Sequence, residues 1–149
     1  MREEKVTISI LKWLEKNDWK IICYDFPQSG TGILLHKNSF SGHHKNKGGI
    51  IPDIIAKKSN KVVYFENKDR YYADDFTKIE DLKVKKEYTE ALTNLLGSLS
   101  QITIYYGIGI PALPSEIKKC LSSGEKIDFL ISVKDNYSIE IKLGSEIFD

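Results

Sequence analysis

Two apolar runs joined by a two-residue link limit what this chain can become. Residues 51–58 read IPDIIAKK and residues 61–68 read KVVYFENK, with Ser59 and Asn60 between them. A link this short fits a tight antiparallel hairpin. Both runs are apolar on both faces: Ile50, Ile51, Ile54 and Ile55 in the first, Val62, Val63, Tyr64 and Phe65 in the second. Strands of that kind sit in the middle of a sheet that is covered on each side. Pro52 has no backbone donor and belongs at a strand start, where the ladder loses little.

The rest of the chain supplies the covering layers. Residues 3–16 place Val6, Ile10, Trp13 and Leu14 at helical spacing, with Ile8 and Leu11 widening the stripe. Glu3 and Glu4 stand in the first turn, where a helix N-terminus favours negative charge. Residues 19–26 read as a strand, and residues 27–49 as an irregular connection in which ILLHKNSF can form a short strand or hairpin arm. Residues 70–78 look like a loop, with Asp74 and Asp75 leading toward a helix, and a long helix is expected from Lys78 to Leu96, with Gly97 as its stop. Residues 101–110 read as a buried strand. Leu113 to Leu121 can form a short helix with Ser115 near its cap. Residues 126–133 and 137–144 close the chain as a hairpin around Asp135 and Asn136. The expectation is a single α/β domain over residues 1–149, with a mixed central sheet flanked by helices.

The chain has 149 residues, enough for one full core, and its net charge of +1 gives no global attraction to nucleic acid or membrane. Charge is uneven, however. No acidic residue lies between Asp25 and Asp53, whereas Lys37, Lys45, Lys47, His36, His43 and His44 do. This is either a solvated loop or a phosphate-facing surface. Cys23 and Cys120 fit no metal or redox spacing and read as reduced core residues. No membrane span or signal peptide is evident, so a soluble, cytoplasmic protein is the default expectation.

The central stretch carries chemistry. Twelve residues separate Asp53 from Glu66, and Lys68 follows two positions later. Residues two apart in a strand share a face, so Glu66 and Lys68 point the same way. Two carboxylates and a backbone carbonyl, here Asp53, Glu66 and the carbonyl of Asn67, suffice for magnesium, which keeps several waters. Such an ion activates a water and neutralises charge on a phosphate, and Lys68 can orient that water. The bland alternative is a proline that only starts a strand and an ordinary surface ion pair.

This arrangement resembles the PD-(D/E)XK nuclease superfamily, whose proline and aspartate fall on Pro52 and Asp53, its acid on Glu66 and its lysine on Lys68. The resemblance implies a restriction-endonuclease-like αβββαβ core over residues 3 to about 110, with the C-terminal hairpin as an addition. It also implies a magnesium-dependent endonuclease, with one or two ions and manganese as a plausible substitute. Many members add a first-helix glutamate, a role open to Glu3 or Glu4, although the position one turn later is Thr7; Asp69, Asp74 and Asp75 either extend the metal site or belong to a loop and helix start, the second being preferred. Asn67 stands where many relatives carry an apolar residue, so it is expected to face polar groups or DNA.

Within the superfamily, a type II restriction endonuclease of a restriction-modification pair, or a subunit of one, fits the long basic connection before Pro52. Double-stranded DNA is the expected partner, with Lys37, His43, His44, Lys45, Lys47, Arg70 and Tyr71 as contacts. Adjacent histidines without a spaced third ligand are a weak metal signal. Tyr71, Tyr72 and Phe76 can stack on bases or form a hydrophobic lid. With two arginines against twenty lysines, guanine readout by arginine is scarce, leaving Gln28, Asn38, Asn46 and the lysines. Cutting both strands calls for a homodimer, and a heterodimer is the other arrangement. A Holliday-junction resolvase and a non-catalytic DNA-binding module on a nuclease fold are the alternatives.

Overall fold

The computed structural model describes residues 1–38 and 48–149. His43, His44, Lys45, Asn46 and Lys47 fall outside the described residues. One six-stranded mixed sheet runs in sequence order: β1 (Lys20–Tyr24), β2 (Ile54–Lys58), β3 (Lys61–Asn67), β4 (Thr103–Pro111), β5 (Phe129–Val133) and β6 (Ile139–Leu143). The β1–β2, β2–β3 and β5–β6 pairs are antiparallel, and β3–β4 and β4–β5 are parallel. Among the described residues four α-helices flank the sheet: α1 (Glu3–Lys16), α2 (Ala73–Lys85), α3 (Thr89–Leu96) and α4 (Pro114–Ser122).

The alternation of side chains along β3 divides the core into two layers. Val63 and Phe65 join Val6, Ile10 and Leu14 of α1 on one face. Val62 and Tyr64 join Phe76, Ile79 and Leu82 of α2, Leu92 of α3 and Cys120 of α4 on the other. Both faces of the central strands are therefore buried, as their unbroken apolar runs require. The α1 layer is closed by the C-terminus. Phe148, in a 3-10 turn over Ser145–Phe148, lies 5.2 Å from the Phe129 ring and 5.3 Å from the Trp13 ring. Cys23 and Cys120 are free and buried.

The α2–α3 region departs from the sequence reading. The helix begins at Ala73, so residues 73–78 are helical rather than loop, with Asp74 and Asp75 in the first turn. It stops at Lys86, which adopts a left-handed conformation (φ 52, ψ 42), and α3 follows separately. An unbroken helix would have turned Lys86 into the buried stripe. The reversal keeps it exposed and tucks Tyr88 under instead, where its hydroxyl donates to the Gly48 carbonyl. At α4 Pro114 occupies the first turn and Leu113 is the cap residue, so Ser115 does not cap that helix. Among its described residues the ILLHKNSF segment contributes one bridge, Leu35 to Ile50. Among the described residues no helix is long and apolar enough to cross a membrane.

Candidate active site

Asp53 immediately precedes β2, yet it is held in the sheet. Its N–H donates to the Phe65 carbonyl (3.2 Å) and its carbonyl accepts from the Asp25 N–H (2.9 Å). Ile54 pairs with Phe65. One further step along that antiparallel register sets Asp53 opposite Glu66, and opposed residues of such a pair share a face. Alternation from Tyr64 puts Glu66 and Lys68 on the α2 face as well. The peptide after Glu66 fixes the aspartate: Asp53 Oδ2 accepts the Asn67 N–H at 2.7 Å.

α2 adds two groups to this face. Lys68 Nζ lies between Glu66 Oε1 (3.9 Å) and Asp75 Oδ1 (4.0 Å), while Lys78 Nζ lies 3.2 Å from Glu66 Oε2. Asp75 and Lys78 are three apart in the helix and so stand on neighbouring rows of one face. Asp75 Oδ2 is buried without a hydrogen-bond partner, and so is the Tyr64 hydroxyl.

The electrostatics follow from crowding acids in a partly dry place. Burial, then the Glu66 carboxylate, push Asp53 up to about 7, against the opposing pull of the Asn67 N–H. Burial pushes Asp75 up to about 6, although Lys68 opposes it. Burial works against the Lys68 ammonium, but the surrounding acids, Asp75 first and then Glu66, Glu3 and Asp53, leave its pKa raised. Lys68 is thus a fixed cation and hydrogen-bond donor, not a neutral base. Glu3, at the N-terminus of α1, is close enough to act on Asp53, Lys68 and Asp75, and it lines a cleft of about 420 Å³ together with Lys68, Tyr72, Asp74 and Asp75. A second cleft of about 390 Å³, lined by Lys37, Lys78 and Lys85, shares Asp74 with the first.

The candidate residues divide between site and scaffold. Asp53, Glu66 and Lys68 share the site. The Asn67 side chain lies on the opposite face, fully buried, where its Nδ2 donates to Thr7 Oγ1 at 3.0 Å. It therefore faces α1, not DNA, because its strand position alternates away from Glu66. Phe76 is a core residue, 1% exposed, and cannot stack on a base. Tyr71 is half-buried, packs against Phe76 (5.2 Å between centroids) and bonds through its hydroxyl to Ser123 Oγ (3.2 Å). The exposed ring at the cleft is Tyr72, with Lys68 Nζ 5.9 Å from its centroid. Arg70 is exposed and paired with Asp69 at 3.2 Å. Lys37 is paired with Glu87 at 3.1 Å. Asn38 is a structural clamp, not a base reader. Its Oδ1 accepts the Glu90 N–H in the first turn of α3 (3.0 Å) and its Nδ2 donates to the Lys86 carbonyl (3.1 Å), serving a helix whose own cap residue offers no side-chain bond.

Asp75 is among the acids the sequence offers as an extension of the site, whereas Lys78 is not legible there as a site residue. The available signal was Asp74-Asp75 as a first turn; starting the helix there puts both side chains on the sheet-facing edge. Among the described residues no three His, Cys, Asp or Glu side chains form a ready-made metal cage. A larger cavity of about 560 Å³ lies between the sheet and α3, walled by Leu92, Leu99, Ile102 and Tyr106. Its one acid among the described residues, Asp128, is engaged by Lys83 (2.8 Å) and the Tyr106 N–H (2.9 Å).

No protein-family model, curated protein or solved structure matches this chain.

Proposed function

We propose that the chain is a metal-dependent endonuclease of the PD-(D/E)XK kind that hydrolyses phosphodiester bonds in double-stranded DNA, with a type II restriction endonuclease or a subunit of one as the preferred form. The observation that carries this reading is the convergence of Asp53, Glu66 and Lys68 on one sheet face, acid opposite acid. The order of α1, three strands, α2–α3 and β4, with a crossover joining parallel β3 and β4, supports a restriction-endonuclease-like core.

The residues present fit a divalent cation. Burial, and then the facing Glu66 carboxylate, make Asp53 resist ionising, and a cation between the two acids relieves both the desolvation and the repulsion. Asp53 has spent Oδ2 on Asn67, which orients the carboxyl without using both oxygens. Asp53, Glu66 and the Asn67 carbonyl would hold the ion. Magnesium, or manganese in its place, supplies a water made acidic enough to attack and a positive charge facing the phosphate. Lys68, held between Glu66 and Asp75, presents its ammonium beside that position, orients the attacking water and lies against the charge that builds on the phosphate. Tyr72 offers an exposed ring at the rim for stacking.

The test is cleavage of supercoiled plasmid by the purified chain in magnesium. Discrete linear fragments are expected, with Lys68→Ala and Asp53→Ala reducing the rate by about a hundredfold or more at unchanged far-UV circular dichroism. Cutting confined to four-way junctions would move the assignment to a resolvase. DNA binding without cleavage would move it to a binding module. Wild-type rates from either variant would remove these residues from the mechanism.

A further inference from the structure

Glu66 is held by two lysines that are not equivalent. Its side chain is 7% exposed and fixed on a central strand. Lys68 comes from the segment directly after the same strand and is shared with Asp75. Lys78 comes from α2, lies nearer at 3.2 Å, and has a side chain that is 38% exposed. Its flexible four-carbon stem can carry the ammonium elsewhere without moving the backbone. Of the two cations, Lys78 has the more exposed side chain and, among the described residues, one ion-pair partner where Lys68 has two.

Lys78 also has somewhere to go. It lines the cleft in which Lys37 is paired with Glu87 and Lys85 with Asp81, and that cleft adjoins the one containing Lys68 and Tyr72 through Asp74. The two clefts meet at Asp74 beside α2, so an ammonium released from Glu66 stays on the face that carries Lys68 and Tyr72.

Building on the nuclease reading, we infer that Lys78 is a placeholder cation: it neutralises the buried Glu66 carboxylate when no divalent ion is bound, gives up Glu66 Oε2 to the ion, and then binds a phosphate of the DNA backbone. A buried carboxylate stripped of partners is costly, so a resident ammonium keeps the empty site folded and ready. The same ammonium competes with the metal for one oxygen. Removing it therefore has effects of opposite sign, which an ordinary structural ion pair does not predict.

The experiment measures metal affinity and DNA affinity separately on the full chain. Isothermal titration of MgCl2, without DNA, is expected to show Lys78→Met binding the ion about tenfold more tightly than the wild type, with Lys78→Arg close to the wild type. Anisotropy of a labelled duplex in CaCl2 is expected to show Lys78→Met binding more weakly, with a salt slope shallower by about one. If Lys78→Met fails to fold, Lys78→Gln, which keeps a hydrogen bond to Glu66, is judged by the same two readouts. Unchanged or weaker magnesium affinity in a folded variant overturns the inference, as does an unaltered salt slope. Asp53→Asn separates the two levels of the argument. If it leaves magnesium binding intact, the nuclease reading itself falls; if it abolishes binding while Lys78→Met changes nothing, only the role of Lys78 falls.

Discussion

Asp53 Oδ2 accepts the backbone N–H of Asn67 at 2.7 Å, tying the head of β2 to the far end of β3. The bond makes the two halves of the acidic motif one rigid unit. It also sets a conflict, because the carboxyl it orients is half-buried and faces Glu66. A group left in that position destabilises the protein that carries it, as functional sites commonly do.

That conflict has a measurable sign. The carboxyl of Asp53 is raised from 3.8 to about 7, chiefly by burial and then by Glu66. The folded protein thus holds the proton more tightly than the unfolded chain. The stability this confers is complete below about pH 4 and is lost as the pH rises through 7. Asp53→Asn keeps an acceptor for the Asn67 N–H but cannot ionise. Its unfolding free energy should exceed that of the wild type by about 2 kcal/mol at pH 8 and by little at pH 4, with the gap opening between those values. Urea unfolding at both pH values checks this. A gap that is constant or shrinks with pH would contradict the placement of Asp53 against Glu66.

Metal binding should release protons for the same reason. Asp53 at about 7 and Asp75 at about 6 hold protons that a divalent ion must displace, directly at Asp53 and through the shared field at Asp75. Magnesium affinity should therefore climb as the pH rises from 6 to 8 and level off above. Titration at pH 6.5 in two buffers of different ionisation enthalpy should show between about half and one proton released per ion. A release near zero would mean that the ion avoids Asp53.

The strands were legible because their apolar runs are unambiguous. Val62 to Phe65 is apolar on both faces and can only be central, and this placed Glu66 and Lys68 on a strand end. The two-residue link was readable as a hairpin, and the Lys58–Lys61 pairing beside it sets the register that brings Asp53 opposite Glu66 in the structure. What stayed hidden depends on contacts distant in sequence. The break at Lys86 belongs to Tyr88, which reaches back to Gly48. The role of Asn38 belongs to a helix about fifty positions later. Tyr71 and Tyr72 are adjacent and chemically alike, and only the packing of α2 assigns one to Ser123 and Phe76 and the other to solvent. Phe148 looks like a frayed end until Trp13 and Phe129 are seen around it.

Asn67 and Thr7 form a buried pair that lends itself to a double-mutant cycle. Asn67 Nδ2 donates to Thr7 Oγ1 at 3.0 Å, while Asn67 Oδ1 has no partner. Thr7→Val removes the acceptor and strands a fully buried amide, at a cost of about 1–3 kcal/mol. Asn67→Leu in that background removes the stranded group and should recover most of the loss. Thermal denaturation of the two single variants and the double supplies the coupling energy. Strict additivity would mean that the two side chains do not interact.

The two adjacent tyrosines should separate stability from function. Tyr71 is wedged against Phe76 and bonded to Ser123 Oγ, so Tyr71→Ala leaves a hole beside α2 and should cost about 2–4 kcal/mol. Tyr72 is 43% exposed, and its hydroxyl donates to Asp69 Oδ1 at 3.2 Å on the surface. Tyr72→Ala should change stability by about 0.5 kcal/mol or less. As the ring beside Lys68 at the cleft mouth, Tyr72 should instead matter for substrate, so its loss is expected to weaken duplex binding about tenfold, on the order of 1.4 kcal/mol for one lost rim contact. Melting temperature and duplex anisotropy, measured side by side on both variants, test the division. A Tyr72 variant with unimpaired DNA binding would place the substrate path elsewhere on the α2 face, toward Lys37 and Lys85.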